Sequence, residues 1–235
     1  MAEAFEEQVA RIALLSDPVR RRLYEFVAGS RDAVSREAAA AAVDVRKPLA
    51  AFHLDKLVDA GLLDVEFRRL NGRSGPGAGR PAKLYKRSGS QLDVTLPQRE
   101  YDLAGRLLAA AIDAASRSGR TATDELDRAA HEFGETMGER AAARAGTSAT
   151  EPEIGAAMLA VLQEYGFEPR REGSAIVLCN CPFHALAEQS TELICGMNLR
   201  ILEGMRSRLG LSARSQRPRL SPQAGRCCVT FTDDQ

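Results

Sequence analysis

The chain's most reactive side chains are five cysteines, Cys179, Cys181, Cys195, Cys227 and Cys228, all near the C-terminal end of 235 residues. Cys179-Asn180-Cys181-Pro182-Phe183-His184 reads as a strand end running into a helix start. Cys195 falls at the start of a longer helix, and Cys227-Cys228 begin a closing strand. Helix starts favour thiolates because backbone N–H groups point at them. Three or four thiolates brought together suit a soft metal or an iron–sulfur cluster. There is no pair of Cys-x-x-Cys knuckles, and Cys-x-Cys is tighter than the thiol oxidoreductase motif. Spacing alone leaves three readings open: metal or cluster ligands, a thiol redox pair, and buried cysteines with no ligand. Neighbours in a strand face opposite ways, so only one of Cys227 and Cys228 is expected to point inward. His184 is a candidate fourth ligand, beside the plainer reading of a helix-start histidine satisfied by backbone.

A second set of residues is basic and lies in the N-terminal half. Arg46 to Leu57 reads as a helix that shows Arg46, Lys47 and Lys56 away from its apolar side. A helix of this kind fits the major groove of DNA. Phe52 is placed to press on thymine methyls or sugars, and His53 to donate to a phosphate. Residues 66–87 hold Arg68, Arg69, Arg73, Arg80, Lys83, Lys86 and Arg87 against the single acid Glu66. Four glycines and two prolines between Asn71 and Pro81 make this a loop between two short strands. A basic loop beside a groove-sized helix suits contact with phosphates, and Gly79-Arg80-Pro81 suits insertion of Arg80 into a narrow minor groove.

Apolar periodicity supplies the elements that position both sets. Residues 5–15 read as a helix. Asp17 is an N-cap with Pro18 behind it, and a second helix carries Val19, Leu23, Phe26 and Val27 inward as far as Gly29. A short helix covers 35–42, Asp44 reads as the next N-cap, and a third helix runs to about Ala60 with Leu49, Leu54, Leu57 and Val58 on one side. Gly61 closes it, and strands follow over 62–70 and 83–86. Three helices and a hairpin complete a domain over 1–90. Residues 98–118 form a helix with a broad apolar stripe, and 91–120 read as a linker and dimerisation segment. In 121–235 come a helix over 122–145 interrupted by Gly134 and Gly138, a helix over 153–164, strands near 167–171 and 175–178, helices over 184–189 and 192–209, an irregular tail over 212–225, and a strand over 227–232. The expected fold is helix-rich α+β, with an N-terminal winged helix-turn-helix and a small α+β sensor domain.

These patterns resemble known proteins. Leu14-Leu15-Ser16-Asp17-Pro18-Val19-Arg20-Arg21-Arg22-Leu23, the stretch His53-Leu54-Asp55-Lys56-Leu57 to Gly61-Leu62-Leu63, and Gly79-Arg80-Pro81-Ala82-Lys83-Leu84-Tyr85-Lys86-Arg87 resemble the ArsR-like winged helix-turn-helix repressors over roughly residues 8–88. The stretch from Asn180 to Met205, followed by Gly225-Arg226-Cys227-Cys228-Val229-Thr230-Phe231, is similar to the effector domain of SufR-type repressors. Those ArsR-like regulators hold an iron–sulfur cluster and repress cluster-assembly operons. The resemblance places the three cluster cysteines on Cys181, Cys195 and Cys227, with Cys179 and Cys228 as extras. It implies repression by the cluster-loaded form.

Composition agrees with a regulator. Lys+Arg and Asp+Glu are equal at 32, yet residues 1–90 hold 16 basic against 12 acidic residues, so a basic front faces an acidic remainder. That asymmetry points to a nucleic-acid partner for the front. No apolar run reaches the length of a membrane span, and the acidic N-terminus lacks a signal peptide's basic region, so a cytoplasmic protein is expected. No Gly-x-Ser-x-Gly, Walker loop, metalloprotease pair or other catalytic set is present, so an enzyme is not expected. The sequence leads to a homodimer on double-stranded, palindromic operator DNA. Its DNA-binding residues are Arg46, Lys47, Phe52, His53, Lys56, Arg73, Arg80 and Lys83, and Cys181, Cys195, Cys227 and Cys228 are its cluster ligands. The alternatives are a thiol-redox or small-molecule-responsive winged-helix repressor without a cluster.

Overall fold

The computed structural model of the chain describes residues 5–69, 81–212, 214–223 and 225–233. They form two units, one ending at Val94 and the other beginning at Thr95.

The first unit opens with α1 (Phe5–Ala13), a 3-10 turn over Leu14–Ser16 and α2 (Pro18–Gly29). Asp17 caps α2 as expected: its Oδ1 accepts from the backbone N–H groups of Val19 at 2.9 Å and Arg20 at 3.0 Å. A two-residue strand, β1 (Val34–Ser35), leads into α3 (Arg36–Val43), where the Ser35 hydroxyl accepts from Ala38 N–H. Asp44 departs from its expected role. It ends α3 in the left-handed region (φ 55°), with its N–H turned back to the carbonyls of Ala40 and Ala41. Asp is one of the few residues besides glycine that tolerates this conformation. Helix α4 (Lys47–Asp59) therefore has Arg46 at its N-cap, without a side-chain cap. Gly61 (φ 65°) turns the chain into β2 (Leu63–Arg68), which pairs antiparallel with β3 (Ala82–Arg87). The sheet order is β1-β3-β2, with Val65 opposite Tyr85. The β2–β3 hairpin is the wing; its tip, with Arg73 and Arg80, lies outside the described residues.

This unit's core is Leu23, Val27, Ala39, Val43, Ala50, Leu54, Leu57, Leu63 and Tyr85. Two expectations fail here. Leu49, read as core, is 42% exposed, and Phe26 is exposed as well. The buried face of α4 is Ala50, His53, Leu54 and Leu57, a helical i, i+3, i+4, i+7 set that includes a histidine and leaves Leu49 outside.

The second unit contains α5 (Tyr101–Ser118), α6 (Ala122–Ala145), α7 (Glu151–Glu164), β4 (Pro169–Glu172), β5 (Ala175–Leu178), α8 (His184–Gln189), α9 (Thr191–Ser207), β6 (Arg217–Leu220) and β7 (Val229–Thr232). The helix read as a linker packs here, with Leu103, Ala104, Leu107 and Ala111 of α5 in the core. Its outer side leaves Ile112 63% exposed. α6 runs without a break through Gly134 and Gly138, contrary to the expected interruption. These glycines are where α6 crosses α9 backbone to backbone. The tail read as irregular contains β6, an edge strand in the sheet order β4-β5-β7-β6. Pro218 lies on this edge opposite Phe231, a position that tolerates a residue with no N–H to donate.

Candidate nucleic-acid interface and cysteine site

On α4 the outward face carries Arg46 and Lys47 at the N-terminal end, then Leu49, Phe52 and Lys56 along the helix. Phe52 is 54% exposed, and the Lys56 ammonium sits 5.0 Å above its ring. An exposed aromatic ring under a cation pairs apolar contact for a thymine methyl with charge for a phosphate. Leu49, one turn before Phe52, extends this apolar strip and was missed because its identity alone reads as core. His53 is corrected: it is only 5% exposed, and its Nδ1 accepts from Arg20 Nε at 3.3 Å. It packs against the edge of Phe52, with ring centroids 5.3 Å apart, so it props up the reading face from behind. Phe52→Ala should weaken operator binding about tenfold, within the range of a lost base contact. A titration by fluorescence anisotropy checks this, and unchanged affinity would remove Phe52 from the interface.

Lys83 is also engaged within the protein. Its ammonium lies 2.6 Å from Asp55 Oδ1, and the same oxygen accepts from the Tyr85 hydroxyl at 2.9 Å. The wing stem's Lys86 and Arg68 both lie near Glu66, at 3.8 and 3.7 Å. Burial opposes the charge on Asp55, but hydrogen bonds from Lys83 and Tyr85 outweigh it and hold the Asp55 pKa below the usual carboxylate value. The Lys83 pKa is raised, chiefly by its bond to Asp55. This lock ties α4 to the wing strand. A lowered carboxylate pKa adds stability above the ordinary value of about 3.8, and that stability is lost as pH falls through the folded-state value. Tyr85→Phe keeps the buried ring and removes one bond to a charged acceptor, so it should cost about 1.5 kcal/mol. Its acid-dependent loss of stability should also be smaller and be complete at a higher pH, because the Asp55 pKa then lies closer to the unfolded value. Thermal melts from pH 6 down to pH 3 test both expectations.

In the second unit the chain brings four of the five cysteines together, and all five are thiols rather than disulfides. Cys181 lies in the turn between β5 and α8, Cys195 in the early turns of α9, and Cys227 and Cys228 just before β7. The pair does not begin the strand, but backbone bonds pin both residues: Cys227 N–H to Leu178 O at 2.8 Å, and Ser221 N–H to Cys228 O at 2.7 Å. The Cys181 turn is held from the other side. Arg99 donates to the Cys181 carbonyl at 2.9 Å and to Asn180 Oδ1, and Asn180 donates to the carbonyls of Gln98 and Gly166.

The thiols hydrogen-bond one another in a chain. Cys227 bonds Cys181 and Cys228, and Cys195 bonds Cys228. The bond from Cys227, helped by one from Cys195, draws the Cys228 pKa down to about 6. Burial and the bond to Cys228 push Cys195 up to about 12. The Cys227 bond also lowers Cys181, while Cys227 itself is raised by serving both neighbours. Cys181, Cys195 and Cys228 line a cavity of about 220 Å³, with His184, Glu188 and Arg226 around it. His184 is exposed, with its Nε2 3.3 Å from Glu188, and Cys179 is half-buried outside the lining. Among the described residues no three His, Cys, Asp or Glu side chains are grouped as one metal ion requires.

Residues 15–66 match a family model described as a helix-turn-helix domain. The match spans α2 to β2 and supports a DNA-binding transcriptional regulator. No curated protein and no solved structure matches the chain. No described helix is long and apolar enough to cross a membrane.

Proposed function

We propose that this chain is a transcriptional repressor of the SufR type, whose operator affinity is set by an iron–sulfur cluster on its C-terminal thiols. The observation that carries the reading is the meeting of three thiols, Cys181, Cys195 and Cys228, from three separate stretches of chain at one cavity, with Cys227 behind them. An all-sulfur donor set is the kind that holds such clusters. A cluster's irons divide the thiolates among them, so the donors need not converge on one point. Cys181, Cys195 and the Cys227–Cys228 pair would hold the group, which when bound supplies a cross-link sensitive to iron supply and oxidants. Hydrogen bonds from Cys227 and Cys195 make Cys228 the thiol that ionises most readily before anything binds. Arg99 and Asn180 fix the Cys181 turn to the residues that lead into α5.

The exposed Ile112 and half-buried Leu108 on the outer side of α5 support a homodimer seam. Two copies would present two α4 helices to palindromic half-sites about 34 Å apart. A coupling of about 1–3 kcal/mol between cysteine site and reading helices changes operator affinity by about 5–150-fold.

The hydrogen-bonded thiols favour one other reading, a redox switch without a cluster. There Cys228 and Cys195 would form a disulfide, giving up two electrons and two protons to a peroxide that is reduced to water. Protein purified without air separates the two. Brown colour, near-stoichiometric iron and sulfide, and operator affinity that changes on removing them are the expected results. Colourless protein that takes up neither iron nor sulfide on reconstitution would overturn the cluster reading and leave the redox switch.

A further inference from the structure

The vicinal pair is not symmetric. Cys228 shares the cavity wall with Cys181 and Cys195, and Cys227 is not part of that wall. Cys227 is 2% exposed, whereas Cys228 and Cys181 are each 9% exposed and Cys195 7%. Backbone bonds to different neighbours hold the two residues: Cys227 N–H bonds the last residue of β5, and the Cys228 carbonyl accepts from Ser221. The chain bends at Cys228 before β7 begins, and there its thiol meets the cavity while that of Cys227 stays behind the wall.

The inner thiol is held by a buried amide. Asn198 lies one helical turn after Cys195 on α9, is 1% exposed, and donates through Nδ2 to Cys227 Sγ at 3.1 Å. The same amide also hydrogen-bonds Cys228 and helps to lower its pKa. Its Oδ1 has no hydrogen-bond partner. A buried amide left half-satisfied in an apolar core demands a reason. Its bonds go to the sulfurs of the vicinal pair.

We propose, resting on the cluster reading above, that Cys181, Cys195 and Cys228 are the ligands facing the cavity. Cys227, held by Asn198, is a positioning thiol behind them. This moves the third ligand from the position that the resemblance assigns, Cys227, to its neighbour. Cys227 works through the others, by hydrogen-bonding the sulfurs of Cys181 and Cys228. Asn198 keeps it turned inward, so the sulfur offered to the cavity is that of Cys228.

The test uses the full-length reduced protein with Cys228→Ser, Cys228→Ala, Cys227→Ser and Cys227→Ala. Alanine guards against a hydroxyl that the buried site does not accept, and circular dichroism melts establish that each variant folds. Two loadings are read. One is iron and sulfide per chain after anaerobic reconstitution. The other is the thiolate-to-metal charge-transfer absorption on titration with cobalt(II) alone. The expected result is that both Cys228 variants lose iron and sulfide to background and lose part of whatever cobalt–thiolate band the wild type gives. The Cys227 variants should keep near-wild-type loading and a full cobalt band, with a lower melting temperature. Loss of loading in folded Cys227 variants, with or without loss in the Cys228 variants, would overturn the assignment. Wild-type protein that takes no iron and sulfide but gives the cobalt band overturns the cluster reading, and the cobalt pattern still decides between Cys227 and Cys228. Wild-type protein that takes up neither iron and sulfide nor cobalt overturns both.

Discussion

Gly134→Ala should lower the melting temperature of the protein's second unit by about 10 °C, the effect of roughly 3 kcal/mol of overpacking in a domain of this size. A Cβ at Gly134 would lie 1.9 Å from the Ile201 carbonyl oxygen and 2.9 Å from Met205 N. A Cβ at Gly204, from the opposite helix, would lie 2.0 Å from the carbonyl oxygen of His131. The atoms in the way are backbone, so no rotamer change relieves the clash, and α6 and α9 must separate. α9 carries Cys195 and Asn198, so the same substitution should also disturb the cysteine site. Gly105→Ala on α5 is the control. Nothing lies within 4 Å of its added Cβ, so helix propensity alone acts and the protein should gain up to about 1 kcal/mol. Calorimetric melts of both variants decide. An unchanged midpoint for Gly134→Ala would mean that the two helices are not in backbone contact.

Operator affinity should fall about a thousandfold when salt rises from about 50 to 200 mM, the loss associated with roughly six neutralised phosphates and a log–log slope near −5. On the reading helix the exposed cations are Arg46, Lys47 and Lys56. In the proposed homodimer two copies of that face supply six charges, one per phosphate. The wing stem adds less, because Lys83 is bonded to Asp55 and Lys86 and Arg68 share Glu66. Lys47→Ala in a dimer should therefore flatten the slope by about 2. Lys83→Ala should leave the slope nearly unchanged and lower the stability of the first unit. A wild-type slope shallower than about −2 would contradict a DNA-backbone interface.

The sequence made some features plain because they rest on local chemistry. Asp17 before Pro18, Ser35 before Glu37 and Gly61 after α4 act as their types predict, since caps depend on residues a few positions away. The cysteines were recognisable as a set because reactive residues crowded at element ends need little geometry to meet. The misreadings come from tertiary context. His53 takes a core position because Arg20, on another helix, bonds its ring nitrogen, and that turns Leu49 outward. Arg217-Pro218-Arg219-Leu220 has no strand signature of its own and is a strand only because β7 pairs with it. The interruption expected in α6 mistook glycines that admit a neighbouring helix for glycines that end one. The proposed roles of Cys227 and Cys228 depend on which of two adjacent thiols meets the cavity, and identical neighbours give no hint of it.

The donors of the cysteine site are far apart along the chain: 14 positions separate Cys181 from Cys195, and 33 separate Cys195 from Cys228. Any occupant bridging them closes two loops at once, and in an unfolded chain such closure is entropically unfavourable. In the proposed cluster-loaded form, occupancy and folding of about the last quarter of the chain are then one linked equilibrium, in which each raises the other through mass action. A chelator that strips the proposed cluster should expose the segment from α8 to β7 to proteases before any other part of the second unit. The concentration needed to do so would report the stability of β6 and β7 as much as the affinity of the thiols.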